Sequence, residues 1–448
     1  MRSTALVLAF LAAPAFAATY PVGPGRPHTS LQALLADVTL QPGDVVEVDP
    51  GNYPGGVILT RSGTAALPII IRGLRDGQGN RPLLSGGTNT FEFRRADHVR
   101  LEGLAFTGGS SRCVFVHARD VVLRDLLVRD CSGQGILAAD QHTGNLTLEY
   151  SEIRNSGNGS SQHALYIQSD EVSNPGSVFR MRFNYVHHGT GGNLLKSRHE
   201  RNEIHYNWFE GAWFHELELI GPDPNHQLPG WTPGMVREDS EVLGNVIVHS
   251  SPLNSFGAVM RFGGDATGES HGRYRVVNNT FIISSSASPA TVFRLFDGLE
   301  SVEAHNNVIW RSSPGELRIE RTDEAVWAAG SRRVAGSNNW INAGANLVPA
   351  EWTGTLSGLT PAFLDAAAHD YRPAPGSPLL AAGNASPTAP PAWPFLSPTL
   401  LPQFLPPTRS WQAPGTATPR PAQTPPTIGA VIQPQDLIFV DGFETGGP

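Results

Sequence analysis

Charged side chains are scarce in this sequence of 448 residues: Asp, Glu, Lys and Arg make up 16% of it, and the net charge is -8. The sequence is mildly acidic and contains no cluster of basic residues. Nucleic acids and anionic membranes bind proteins through concentrated positive charge, so neither is an expected partner. The 48 Gly and 37 Pro residues fit a large secreted protein rich in β-structure.

Long apolar runs are absent beyond the amino terminus. Residues 1–17 start with one basic residue, Arg2, continue through an apolar run to Phe16, and close with Ala15-Phe16-Ala17. This pattern is typical of a signal peptide with a small-x-small cleavage site, and it is too short to span a bilayer. We therefore predict an exported protein with no membrane span.

Cysteine is nearly absent as well. Cys113 and Cys131 are the two in the chain. Export would permit a disulfide, but their offset positions on neighbouring repeats leave the pairing open. A role for either thiol as metal ligand or nucleophile is not expected.

One sequence phrase recurs instead: alternating aliphatic residues, an asparagine, then aliphatic residues again. The asparagines of this column, with more degenerate members upstream, are Asn184, Asn207, Asn245, Asn279, Asn307 and Asn339, preceded by Leu104, Leu126 and Ser151. The steps vary but are never shorter than about 22 residues, as in a solenoid whose coils carry loop insertions. Short period-2 strands rich in Val, Ile and Phe predict a parallel β-helix of roughly nine to eleven coils.

The recurring asparagines predict a stacked corner. Asparagine tolerates the left-handed backbone of a sharp bend, and stacked amides can hydrogen-bond along the column. We prefer this structural role to catalysis or glycosylation. At the amino-terminal end, residues 28–38 predict a short helix with Thr29 or Ser30 as N-cap and Leu31, Leu34 and Leu35 on one face. Such a helix would cap the exposed edge of the solenoid.

Several segments carry a family resemblance. PGDVVEVDPGNY (residues 42–53), LPIIIRG (67–73), VRLEGLAFTGG (99–109) and FLDAAAHDYRPAPGSPLLAAG (363–383) resemble the first and closing coils of secreted right-handed parallel β-helix proteins. The most similar are polysaccharide lyases of the chondroitinase B, alginate lyase and pectate lyase type. The resemblance implies an all-β pectin lyase fold over residues 18–383.

The composition changes after Gly383. Residues 384–448 are rich in Pro, Thr and Ala without periodicity, which predicts an extended, largely disordered tail. Residues 438–444, IFVDGFE, are similar to a terminal signature of some exported Gram-negative bacterial proteins. That similarity implies a bacterial protein that is secreted, periplasmic or on the cell surface, and the motif is either a sorting tag or a final strand.

The strands after the asparagine corners carry the candidate site. Period-2 alternation turns one column of side chains outward at a spacing of about 4.8 Å. The column consists of Tyr166, Lys196, Glu218, Arg261 and Arg294, and the flanking turns hold Trp208, Trp213, Phe214, Trp231, His187, His188 and His199. A ladder of solvated charges is the structural alternative. The low overall charge and the nearby aromatic rings favour a sugar-binding groove.

Lys196-Ser197, followed by Asn207, is similar to the Lys-Ser pair that supplies the base in chondroitinase B-like lyases. Those enzymes carry acidic calcium ligands shortly before the lysine, whereas Gly191, Gly192, Asn193 and Leu194 stand here. Calcium is thus implied by the resemblance and not supported by a ligand motif.

The first functional hypothesis is a lyase that eliminates across a uronic-acid glycosidic bond of an acidic polysaccharide. Its catalytic residues would be Lys196 as base, Tyr166 or His163 as acid, and Arg198, Arg261 and Arg294 as cations that neutralise the carboxylate. The residues predicted to bind substrate are Glu216, Glu218, Arg294, Trp208, Trp213 and Trp231.

Two alternatives remain. A glycoside hydrolase would pair Glu216 or Glu218 with Asp223 or Asp265 as acid and base. A non-catalytic surface protein would use the groove only to bind glycan. We expect a monomer in each case.

Overall fold

The computed structural model describes residues 17–221, 229–235, 237–250, 256–264, 270–296, 298–322 and 332–433. Nearly all of its regular structure is β, and three long sheets contain only parallel neighbours. The chain forms a right-handed parallel β-helix, which confirms the predicted fold class. None of the described helices is long and apolar enough to cross a membrane.

The first and second sheets have 13 and 12 strands. The strands of the first sheet are Thr19–Val22, Val45–Val48, Ile69–Gly73, Val99–Glu102, Val121–Arg124, Leu146–Glu149, Phe179–Arg182, Arg201–His205, Asp239–Leu243, Arg273–Val277, Ser301–His305, Val334–Ser337 and Trp352–Thr353. Those of the second sheet are Asn52–Pro54, Leu83–Ser85, Ala105–Thr107, Leu127–Cys131, Glu152–Ser156, Tyr185–His187, Trp208–Glu210, Val246–His249, Thr280–Ile283, Val308–Arg311, Trp340–Asn342 and Leu356–Gly358.

The third sheet has 10 strands, so the described chain has 10 coils with a strand in every sheet, within the predicted number. The strands of the third sheet are Val57–Leu59, Asn89–Arg94, Arg112–His117, Gln134–Ala138, Leu165–Gln168, Leu195–Arg198, Leu217–Leu219, Ala258–Phe262, Ala290–Leu295 and Leu317–Thr322. An antiparallel pair, Phe363–Asp365 and Asp370–Pro373, follows the last coil, and Pro233–Met235 forms a single 3₁₀ turn.

The asparagine column lies at the corner between the first and second sheets, as predicted. Each side-chain oxygen accepts a hydrogen bond from the backbone N–H of the asparagine one coil earlier. The N···O distances are between 2.8 and 3.0 Å for the five successive pairs Asn184–Asn207, Asn207–Asn245, Asn245–Asn279, Asn279–Asn307 and Asn307–Asn339. Ser151 and Leu126 continue the column. All six asparagines are fully buried.

The expected reason for asparagine at this corner is wrong in one respect. The left-handed backbone belongs to the residue before each column asparagine, for example Phe183 (φ 59°), Tyr206 (φ 59°) and Asn306 (φ 55°). The column asparagines are there for their amides, which hydrogen-bond the backbone of the neighbouring coils.

A helix, Leu31–Asp37, packs at the amino-terminal end. Ser30, and not Thr29, is its N-cap and accepts the N–H of Ala33 at 3.2 Å. Leu31 and Leu34 are buried and Leu35 packs against the core, as expected. Cys113 and Cys131 form a disulfide, with 5.9 Å between their Cα atoms.

The Pro-rich segment is not disordered over residues 384–433, which we call the C-terminal strap. It forms no helix or strand, yet it contacts the outward side chains of the first and second sheets. Arg275 donates to the carbonyl oxygens of Thr399 and Leu400 at 2.7 and 3.1 Å, and Arg409 pairs with Glu210 at 2.7 Å. Proline lacks an N–H and cannot donate a hydrogen bond to a sheet, but the carbonyls of a Pro-rich segment still accept hydrogen bonds.

The remaining predictions about the chain ends are untested. Residues 1–16 and 434–448 lie outside the described residues, so the signal peptide and the IFVDGFE motif stay predictions. The limits of residues 18–383 for the β-helix also stay a proposal.

We expect Asn245→Leu to lower the free energy of unfolding by about 1–3 kcal/mol, because it removes the partners of the Asn207 N–H and the Ile204 carbonyl. Chemical denaturation followed by circular dichroism measures this. Asn52→Leu, at an exposed position of the second sheet, is the control and should cost less than about 0.5 kcal/mol. Equal losses for both variants would contradict the ladder.

Candidate active site

The predicted outward column is present in the third sheet. The parallel register places Tyr166 beside Lys196, Lys196 beside Glu218, Glu218 beside Arg261, and Arg261 beside Arg294. The alternate residues of these strands point inward and are fully buried, as Leu165 and Ile167 show. Five side chains that are far apart in the sequence therefore share one surface line.

The column forms the floor of a cleft of about 520 Å³. The cleft is lined by Ser160, Ser161, His163, Tyr166, Asn193, Lys196, Arg198, Phe214, His215, Glu218, Phe256, Arg261 and Arg294. All six residues predicted to be catalytic are in this set, and so is Glu218 from the predicted substrate-binding residues, to which Arg294 also belongs. Their roles remain proposals.

Glu218 is the anion around which the cations are arranged. Its Oε2 lies 3.7 Å from Lys196 Nζ, and its Oε1 lies 3.3 Å from Arg261 Nη1. Asn193 Nδ2 donates to the same carboxylate. Because Glu218 is only 6% exposed, these contacts are partly shielded from water and are stronger than at an open surface.

Two arginines further along the column share an aromatic support. The guanidinium carbons of Arg261 and Arg294 lie 3.8 and 4.8 Å from the ring centroid of Phe296. Cation–π stacking of this kind fixes the plane of a guanidinium. Sequence reasoning did not single out Phe296, which follows the strand Ala290–Leu295.

Arg198 is hydrogen-bonded to a neighbouring column residue and to the backbone. Its Nε donates to Tyr166 Oη at 3.1 Å and its Nη1 donates to the Gly221 carbonyl at 2.8 Å. It is 2% exposed. Arg198 therefore positions Tyr166, whose oxygen accepts one bond and keeps its hydrogen for another partner.

Asn193 and two histidines lie beside the column. The backbone N–H of Asn193 donates to His163 Nδ1 at 2.9 Å, and Asn193 Oδ1 lies 3.2 Å from His215 Nδ1. Gly192 allows this contact: it has φ +51°, and a Cβ there would lie 2.2 Å from His163 Nδ1. Burial, with Lys196 nearby, lowers the pKa of His163 to about 3.

Sequence reasoning missed Asn193 and His215 as functional residues. Burial, assisted by the charges of Arg294 and Arg261, holds the pKa of His215 well below its usual range. A signal for both was present: His163, Asn193 and His215 each stand three residues before a column residue, in HALY, NLLK and HELE. Residues at the same position of successive coils lie next to each other, so these three residues form a second column beside the first.

Four predicted substrate-binding residues do not reach the cleft. Glu216 is fully buried, with Oε2 2.8 Å from His249 Nδ1, because it precedes the strand Leu217–Leu219 and turns inward at the corner. Trp208 belongs to the second sheet and stacks on Tyr371. Trp213 and Trp231 are absent from the lining. Proximity in sequence to a turn does not tell which corner of the coil a side chain faces.

No group of three or more His, Cys, Asp or Glu residues that could hold a metal occurs in the described part of the chain. Calcium dependence therefore stays untested. Asp223 and Asp265, the partners that a hydrolase would need, lie outside the described residues.

Comparisons with known proteins concern the fold. No protein-family model and no curated protein matches the sequence. Similar solved structures include pectate lyase Pel9A, with 12% identity over 84% of this chain and 96% of that one at a TM-score of 0.46. An alginate lyase from Paenibacillus sp. str. FPU-7 has 17% identity over 68% and 99% at a TM-score of 0.43. A GH136 lacto-N-biosidase from Eubacterium ramulus has 13% identity over 68% and 67% at a TM-score of 0.39.

These neighbours differ in reaction, and the similarity is low, so they carry no argument about chemistry. The reaction must be inferred from the side chains of the cleft.

His199, expected in a flanking turn of the groove, is instead fully buried, and its Nε2 donates to the Gly144 carbonyl at 3.1 Å. Burial lowers its pKa from 6.5 to about 4. Below pH 6.5 the unfolded chain binds a proton at His199 that the folded protein does not bind. The free energy of unfolding therefore decreases as the pH is lowered from 6.5 to about 4.

We expect wild type to lose about 2 kcal/mol more unfolding free energy than His199→Gln between pH 7 and pH 5. Denaturant titrations at the two pH values measure the difference. His271→Gln, at an exposed position, is the control and should follow wild type. A loss for His199→Gln as large as that of wild type would show that His199 is protonated in the folded protein.

Proposed function

We propose that this protein is a carbohydrate-active enzyme, a polysaccharide lyase that cleaves a uronate-containing polymer by β-elimination. Such a reaction needs cations for the carboxylate, a base for the C5 proton and an acid for the leaving oxygen. The observation that supports it is the convergence of Lys196, Arg261 and Arg294 with Tyr166 in one cleft. Export by residues 1–17 belongs to the same proposal.

The charge of the cleft suits a polyanion. Four cationic side chains, Lys196, Arg198, Arg261 and Arg294, line it against a single carboxylate, Glu218, among the described residues. Arg261 and Arg294 lie on adjacent strands about 4.8 Å apart, close enough for both to contact one uronate carboxylate. A hydrolase would require a second carboxylate in the cleft, and the described residues supply none.

Lys196 is the only lysine of the chain; every other residue among the 32 Lys and Arg is an arginine. This single lysine lines the cleft. Lysine differs from arginine in that it can release its proton to a substrate, so a lysine here can transfer a proton where an arginine could supply only charge.

The contact with Glu218 indicates whether Lys196 donates or accepts the proton. The carboxylate of Glu218 lies 3.7 Å from Lys196 Nζ and forms an ion pair with it, in which Lys196 is the partner that carries the proton. We therefore propose Lys196 as the proton donor to the leaving oxygen, in place of the base predicted from the sequence. Tyr166, held by Arg198, donates a hydrogen bond to the substrate.

The test is release of ultraviolet-absorbing unsaturated uronate from alginate, pectate, glucuronan or glycosaminoglycans. We expect Lys196→Arg to lower kcat by about 10²–10⁴-fold while polymer affinity is retained, because arginine keeps its proton. Arg294→Lys, which exchanges the two cations in the opposite direction, is the matched comparison and should lose far less.

Each failure has a separate meaning. Absence of unsaturated product from every polymer would reject the lyase, with new reducing ends alone favouring a hydrolase and binding without cleavage favouring a glycan-binding protein. Full activity of Lys196→Arg would reject only the role of Lys196.

A further inference from the structure

Asn193 sets the position of the hydrogen on His215. The Asn193 side-chain atom that faces His215 accepts the backbone N–H of that residue at 3.0 Å, which identifies the atom as the amide oxygen. The same oxygen lies 3.2 Å from His215 Nδ1, so Nδ1 must carry the hydrogen of this bond. A neutral His215 therefore has a lone pair and no hydrogen on Nε2.

His163 has the reverse arrangement. Its Nδ1 accepts the backbone N–H of Asn193 at 2.9 Å, so its hydrogen is on Nε2. Glu218 keeps the amide of Asn193 in this orientation by accepting a hydrogen bond from Nδ2. One asparagine thus makes one imidazole a proton acceptor and the other a hydrogen-bond donor.

The acceptor nitrogen of His215 is buried and has no partner among the described residues. Nε2 has no hydrogen-bond partner in the described part of the chain, although His215 is 4% exposed and lines the cleft. Phe256 packs edge-on against the ring, with 4.8 Å between centroids, and limits its movement. A buried acceptor without a partner is unfavourable unless a ligand supplies the hydrogen.

We propose that His215 Nε2 is the base that removes the C5 proton of the bound uronate. This inference rests on the lyase function proposed above and deepens it. The electrons of the C5–H bond form the C4–C5 double bond, the C4–O bond breaks, and the leaving oxygen takes a proton from Lys196 Nζ. His215 is left as imidazolium and Lys196 as neutral amine, and water carries the proton from one to the other before the next turnover.

The hydrogen positions can be tested without substrate. Nitrogen-15 labelling of the histidines, with spectra at neutral pH, distinguishes a nitrogen that bears hydrogen from a bare one. We expect His215 to carry hydrogen on Nδ1 and His163 on Nε2. Hydrogen on Nε2 of His215 would overturn the proposal.

The second test uses a polymer that wild type cleaves. We expect His215→Ala to lower kcat by about 10²–10⁴-fold with little change in KM, and added imidazole to restore part of the rate. His215→Gln fills the same space, so it should lose the rate without rescue. His163→Ala removes a hydrogen-bond donor and not a base, and imidazole should not restore its activity.

Full activity of His215→Ala, or a loss that imidazole does not relieve, would overturn the role of His215 while leaving the lyase function intact. A wild type that releases no unsaturated uronate would instead reject the function, and the role of His215 with it. A His215→Ala variant that fails to fold, as seen by circular dichroism, leaves His215→Gln and the nitrogen spectra to decide.

Discussion

Parallel stacking of the coils is the constraint on which the rest of the structure depends. Each residue in a sheet has a neighbour at the same position about 4.8 Å away on the next coil. A buried polar residue in such a position must be able to hydrogen-bond to the same residue type on the next coil. Asparagine meets this requirement because its amide has both donors and an acceptor, and the ladder from Asn184 to Asn339 uses both.

The same constraint creates the cleft and its charge. Stacking brings cations from separate coils to one line, where they would repel one another without an intervening anion. Glu218 stands between Lys196 and Arg261 and contacts both. Beyond it, Arg261 and Arg294 both stack on the face of Phe296.

Stacking also exposes the outer faces of the first and second sheets, which carry arginines and aromatic rings. The C-terminal strap covers part of them: Trp411 donates to the Tyr150 carbonyl at 2.9 Å and lies against the guanidinium groups of Arg75 and Arg81. Asn278 Nδ2 donates to the carbonyls of Thr427 and Gly429, further along the strap. A segment without its own secondary structure is therefore ordered by donors that the β-helix provides.

The sequence by itself determined the fold class, the number of coils, the asparagine ladder and the column from Tyr166 to Arg294, because each depends on a period that the chain repeats. It did not determine which tryptophans face the cleft, that Glu216 turns inward to His249, or that the C-terminal strap packs on the sheets. Those outcomes depend on corners and on contacts between distant segments, where no period applies. Only the tertiary structure decided the proton arrangement of His163 and His215, because it depends on which atom of Asn193 faces each ring, and hydrogen-bond geometry across three coils settles that.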